Sequence, residues 1–261
     1  MKKFVVKRLL ISIVLLFFVS MIIYGIMRCM PASFVETKAM ELSQKPGAKS
    51  YDEWLQQLNA AYGLDDSVIQ GYFVWASKAI RGQFGDSWLY NQPVLQKFAS
   101  VIWYSFALGL ASFILEIIIA IPAGVAAARK QYSLTDYSIT VIALIGISLP
   151  SFFFATILKW IFAVKLNWLD LYGIVGRMHQ QLSPMGQFLD IAKHMIMPVL
   201  TLTIVSIGAL MRYTRTNMLE VLNADYIRTA RAKGVPEKKV VSHHAFRNTL
   251  IPIITILGST L

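Results

Sequence analysis

A chain of 261 residues with 56% apolar and only 15% charged side chains is unlike a water-soluble enzyme, since average soluble chains are about 25% charged. The net charge of +11 would suit a nucleic-acid binder, but the basic residues are confined to alternate loops between apolar runs. Cys29 is the single cysteine, which excludes an internal disulfide and argues against thiolate metal chemistry.

In chain order, Leu9–Met27 carries no charge and is long enough to cross a bilayer that needs about 20 residues. Its length and the lack of a small-x-small site after it argue against a cleaved signal. Residues 31–100 exceed what an unstructured loop usually spans and carry helical patterns. Tyr51, Trp54, Leu55 and Leu58 share one face, and Val68–Ala79 forms a second amphipathic run. Gly82 and Gly85 end it. The segment reads as a small helical cap on the outer membrane surface, rich in interfacial Trp and Tyr.

The second span, about 99–128, contains Ala120-x3-Gly124-x3-Ala128, a spacing that lets helices approach closely in lipid. Pro122 should kink it or have its freed carbonyl satisfied by neighbours. Glu116 sits in mid-span, where a charge costs about 2.5–3.5 kcal/mol on insertion scales. It faces either a solute pathway or a packed helix seam. The third span, about 137–158, is interrupted by Gly146 and Pro150, and Pro150 and Ser151 are further pathway candidates. Residues 164–194 read as a second outer loop, with Trp160 and Trp168 as interfacial anchors and Lys159 and Lys165 snorkelling to the interface. A fourth span begins near Met195, and Asn248–Leu261 is a fifth apolar run, too short to cross alone. Lys2, Lys3, Lys7 and Arg8 before the first span, and Arg129 and Lys130 after the second, put the N-terminus on the cytoplasmic side.

Between the last two apolar runs lies Asn223–Asn248, a basic cassette. Asn223 is suited to cap a helix over Ala224–Lys233, Gly234 to end it in the left-handed conformation, and Pro236 to start a following one. Tyr226, Ile227 and Ala230 share a side. So short a helix needs packing to persist, and a groove on a cytoplasmic partner would supply it. A surface helix drawn to anionic lipid is the plainer alternative. His243 and His244 have no further metal ligands near them in sequence. No Gly-x4-Gly-Lys-Ser/Thr phosphate loop and no nucleophile–base constellation is present, so the chain is not expected to be an enzyme.

The order Thr229-Ala230-Arg231-Ala232-Lys233-Gly234, then His244-Ala245-Phe246-Arg247-Asn248, resembles the coupling loop of bacterial ABC importer permeases, and within them the oligopeptide/dipeptide branch. The general family loop carries Glu-Ala-Ala-x3-Gly; the missing Glu and the basic version match the peptide branch, with Phe246 where Leu is usual. Gly82-Gln83-Phe84-Gly85-Asp86-Ser87 with Pro93-Val94, Ile147–Phe152, and Met197–Leu200 through Arg212 and Arg215 follow the same family pattern. Pro31-Ala32-Ser33-Phe34 departs from the family's Pro-Gly-Asp-Pro.

The resemblance implies an all-α polytopic membrane protein with the type I ABC importer transmembrane fold, five of six expected spans being present and the fifth incomplete. It implies an N-terminal transmembrane helix over 1–30, an external cap over 31–98, and a permease core over 99–261 with the coupling loop at about 212–247. The ATPase-coupling residues it implies are Asp225, Tyr226, Arg228, Ala230, Arg231, Ala232, Gly234, His244 and Arg247. The partners would be a homologous second permease, two ABC ATPase subunits carrying ATP-Mg, and an extracytoplasmic substrate-binding protein, in a bacterial cytoplasmic membrane. The chain itself would bind no cofactor, metal or nucleic acid. A membrane scaffold docking a soluble partner through the same loop is the alternative of a different class. An ion-driven carrier is weaker, because Glu116 is the one ionisable residue within the apolar runs.

Overall fold

The computed structural model describes residues 2–29, 34–62, 64, 67–87 and 89–260; the Pro31–Ser33 departure lies outside these. They divide into two compact units, 1–101 and 102–261.

In the first unit, α1 (Lys2–Arg28) is the apolar N-terminal helix. It is followed by α2 (Phe34–Ser43), α3 (Tyr51–Tyr62) and α4 (Val68–Ile80). Ser67 caps α4 by accepting from the Gln70 N–H, and α2 packs on α3. The α1–α4 contact is aromatic. Tyr72 is buried, makes edge contacts with Phe17 and Tyr24, and shares a hydrogen bond with Ser20. Helices α1 and α4 thus lie in the same compact unit. The sequence passes over α2 and a hairpin. Strand β1 (Asp86–Ser87) pairs antiparallel with β2 (Gln92–Pro93), with Asp86 opposite Pro93.

Helix α5 (Val94–Arg129) begins in the first unit and runs unbroken through Pro122. At 1.5 Å per residue it is about 54 Å long, well beyond a hydrocarbon core of about 30 Å. Next come α6 (Leu134–Ser148) and α7 (Ser151–Leu158), the latter continuing as a wide π turn over Lys159–Lys165. The two arms meet at 103°, so the third span, expected to be interrupted at Gly146 and Pro150, is an elbow with its break at Pro150. Leu149, pressed by Pro150 out of helical geometry, is extended, and Pro150 then N-caps α7.

Helix α8 (Pro184–Leu222) is 39 residues long and starts well before Met195, which shortens the expected second outer loop. Ser183 caps it and Pro184 occupies its first turn. After it come α9 (Asp225–Ala232) and α10 (Glu237–Lys239), then a π turn over Val240–Ala245, then α11 (Phe246–Thr260). The last three are contiguous. The fifth apolar run is thus the end of a helical stretch over 237–260, roughly 36 Å long.

The core of the second unit is a seam along α8. A Cβ on Gly124 of α5 would lie 2.7 Å from the Met211 carbonyl oxygen and from Thr214, and one on Gly146 of α6 would lie 2.7 Å from the Ile204 carbonyl. At Gly208 a Cβ would collide with the Ala143 backbone. Small residues at these crossings let backbones touch, the packing that replaces hydrophobic drive within lipid. Ala120, Ala127 and Ala128 are buried on the same side of α5 as Gly124.

Candidate coupling surface

Helix α9 owes its position to a C-terminal cap and one buried side chain. Its N-cap is Ala224, which offers no side-chain hydrogen bond. Asn223 instead closes α8, its amide donating to the Leu219 carbonyl at 3.0 Å. The expected Asn223 cap fails because α8 continues to Leu222 and uses that residue for its own end. The C-terminal expectation holds. Gly234 has φ +74°; its N–H reaches the Arg231 carbonyl at 2.9 Å, and the Val235 N–H reaches the Ala230 carbonyl at 3.2 Å. This is a complete Schellman pair.

Ile227 is fully buried in a cluster with Ala128, Met218, Val240, Val241 and Ala245, with Ala230, Val235 and Phe246 packed against it. The apolar face of α9 is therefore satisfied within the chain, and the expected pairing of Tyr226 with Ile227 and Ala230 on one docking side is corrected. Tyr226 points out, half-exposed, while Ile227 and Ala230 point in. The π turn gives Val240, Val241 and Ala245 their inward register.

The outward face of the cassette carries Asp225, Tyr226, Arg228, Thr229, Arg231 and Ala232, all exposed. Arg228 Nη1 lies 3.4 Å from Asp225 Oδ1, a pair too exposed to fix either residue strongly. Arg231 donates through Nε and Nη2 to the Glu237 carboxylate at 3.1 and 2.8 Å, bracing the turn at Gly234. That guanidinium holds the Glu237 carboxyl below its usual range, its hydrogen bonds being the main cause. Arg247 is exposed, His244 is half-buried, and its ring meets that of His243 edge-on at 5.3 Å. Nothing groups these two with further metal-ligating side chains among the described residues.

Behind this surface lies an ion pair that sequence reading passed over. Asp136, almost wholly buried near the start of α6, accepts from Arg215 Nε at 2.6 Å and Nη2 at 2.7 Å. It also takes the Tyr132 N–H at 3.0 Å, while its own N–H reaches Ser133 Oγ at 3.4 Å. Ser133-x-x-Asp136 before an apolar run is a capping signature, and that was the available signal; the Arg215 partner, 79 residues away, left none.

Of the pathway candidates, Glu116 is buried on α5, with Ser206 of α8 beside it. That placement is in a helix seam. Pro150 is exposed at the elbow. Ser151 lines a basin of about 530 Å³ formed by α7, the 170–173 loop and α8. Lys159 and Lys165, expected to snorkel, stack on Tyr172 and Trp160 at 4.3 and 5.3 Å.

The site is a basic cassette braced against long apolar helices. Residues 120–261 match the family described as binding-protein-dependent transport system inner membrane component, and residues 1–95 match its N-terminal domain. The chain is 36% identical over 259 residues to the oligopeptide transport system permease protein AppB of Bacillus subtilis, covering 99% of this chain and 78% of that one. It is 33% identical over 260 residues to OppB of Salmonella typhimurium and 34% over 260 residues to OppB of Escherichia coli K12, again covering 99% and 78%. The chain belongs to the binding-protein-dependent transport system inner membrane component family. It is a multi-pass membrane protein and a non-catalytic permease subunit of an ABC importer.

Proposed function

We propose that this permease carries oligopeptides, and that the exposed face of α9 is where ATP-driven motion enters it. Peptide as the solute is supported by the oligopeptide permeases to which nearly the whole chain is similar. In this reading a second permease completes the pathway, a binding protein delivers solute to the outer side, and two ATPase subunits holding ATP-Mg dock on the cassette. The N-terminus lies in the cytoplasm of a bacterial cell, a placement supported by Lys2, Lys3, Lys7 and Arg8 in the first turns of α1.

The observation that carries the coupling role is the split of α9 into two faces. Asp225, Tyr226, Arg228, Arg231 and Ala232 look outward, while Ile227 and Ala230 are seated among Met218 of α8, Ala128 of α5 and the 240–245 turn. A helix so anchored passes a push to three long helices instead of absorbing it as a loose loop would. Coupling of this kind needs contacts that differ between two states, and the outward side chains are available to make them. Ala230, expected at the docking face, acts from the inner side as a spacer that lets α9 sit close. Gly234, His244 and Arg247 frame the surface.

The test is to purify the importer from its native membrane, identify its companions by mass, and reconstitute ATP-driven peptide uptake. Companion ATPases and uptake lost on Tyr226→Ala with Arg228→Glu support the reading. A folded subunit without ATPases would favour the scaffold reading.

A further inference from the structure

We propose that the basin beside the α6–α7 elbow is a station for the primary ammonium group of a transported solute, held by Asp170 and His194. This rests on the reading of the chain as a peptide-import permease, because a peptide's free N-terminus is the ammonium in question.

The basin has about 530 Å³ of space, and its wall mixes apolar side chains such as Phe152, Met197 and Leu202 with polar ones that could fix an occupant. One of these is unusual. The His194 side chain is 3% exposed, and its Nε2 has no hydrogen-bond partner among the described residues. The tautomer follows from the other nitrogen: Nδ1 lies 2.8 Å from the Asp190 carbonyl oxygen, which can only accept, so Nδ1 carries the proton. In the neutral ring Nε2 is then a bare acceptor. It faces a second acceptor, Asp170 Oδ2, at 3.5 Å. Oδ2 already takes Lys193 Nζ; a solute ammonium would replace that lysine, reaching both acceptors once the Asp170 side chain turns outward.

The surrounding charges are consistent with this. Asp190 is already engaged by the Gly176 N–H at 2.9 Å and by His179 Nδ1 at 2.7 Å, so Asp170 is the carboxylate left for an incoming cation. Lys193 Nζ touches Asp170 Oδ2 at 3.2 Å, but both side chains are about half exposed, and such a pair is weak enough for a ligand to displace. Nε2 is sealed from water; the half-exposed Asp170 carboxylate is the part free to turn and admit the ligand. Lys159, held over Tyr172 in the same wall, supplies the opposite charge for a carboxylate further along the solute.

The experiment uses the complete importer in nanodiscs, with Cys29→Ser and Ser151→Cys placing one thiol in the basin wall. Its labelling by an impermeant maleimide is timed with trialanine, with N-acetyl-trialanine, and without peptide. Trialanine should slow labelling several-fold, the acetylated peptide should not, and Asp170→Asn should abolish the difference. Asp170 is exposed enough that its variant should fold, and the peptide-free labelling rate checks this. Labelling untouched by trialanine, or slowed equally by both peptides, in an importer that takes up trialanine overturns the site alone. An importer that takes up no peptide overturns the underlying reading.

Discussion

Arg215 on α8 grips Asp136 on α6 with two parallel hydrogen bonds of 2.6 and 2.7 Å. The pair joins the elbow helix to the helix whose far end bears α9. Buried pairs bring little net stability but are costly to break from one side, by about 3–5 kcal/mol. Arg215→Met leaves the Asp136 carboxylate buried without its cation, the Tyr132 N–H still donating to it. The expected outcome is a marked drop in the thermal stability of the purified importer. Adding Asp136→Asn to Arg215→Met should recover part of the loss, since the stranded charge is removed. Equal melting temperatures for the single and double variants would contradict this.

Gly124 predicts a steric outcome. A Cβ there would sit 2.7 Å from the backbone oxygen of Met211, and backbone cannot swing aside as a side chain can. Gly124→Leu should cost at least the 1–3 kcal/mol typical of overpacking, read as reduced yield and melting temperature in detergent. Gly25 on α1, where nothing lies within 4 Å, is the control: Gly25→Leu should leave both unchanged.

Gly234 is limited by conformation and not by space. No atom lies within 4 Å of a Cβ built there, yet φ is +74°, which costs an ordinary L-residue about 1–2 kcal/mol. Gly234→Leu should therefore shift the α9 turn without clashing. The expected signature is ATP hydrolysis that continues while peptide uptake falls. Gly234→Asn, which tolerates the left-handed region better, should keep more uptake. Wild-type uptake by Gly234→Leu would remove this turn from the coupling account.

The Arg231–Glu237 bridge sets a pH expectation. Arg231 depresses the Glu237 pKa in the folded chain. A depressed carboxyl contributes stability that is present above its unfolded pKa, about 4.3, and lost as pH falls through the lower folded value. Both side chains are about half exposed, so the contribution is small. Glu237→Gln should leave thermal stability at pH 7 nearly unchanged and slightly flatten its decline below about pH 4.3.

The legible parts of this protein were those written in local chemistry. Gly234 announces its left-handed turn because few other residues accept it, and Ala120-x3-Gly124-x3-Ala128 announces a close helix approach. Helix ends were harder. Met195 marks where α8 turns apolar, but the helix itself starts at Pro184, because Gln187, Asp190, Lys193 and His194 are helical without being hydrophobic. The Ser183-Pro184 start signal was there to be read. Which of several prolines breaks its helix was not: Pro122, Pro198 and Pro252 lie inside helices while Pro150 sits at an elbow, and that choice is made by what packs around each. The inward turn of Ile227 was equally hidden, since its partners Met218 and Val241 come from other elements.

The two faces of α9 are the central claim, and site-specific photo-crosslinking tests them most directly. A photoreactive residue at Tyr226 or Arg228 in the assembled importer should capture an ATPase subunit, and one at Ile227 should crosslink only within this chain. Capture of an ATPase from Ile227 but not from Tyr226 or Arg228, or from none of the three, would contradict the account.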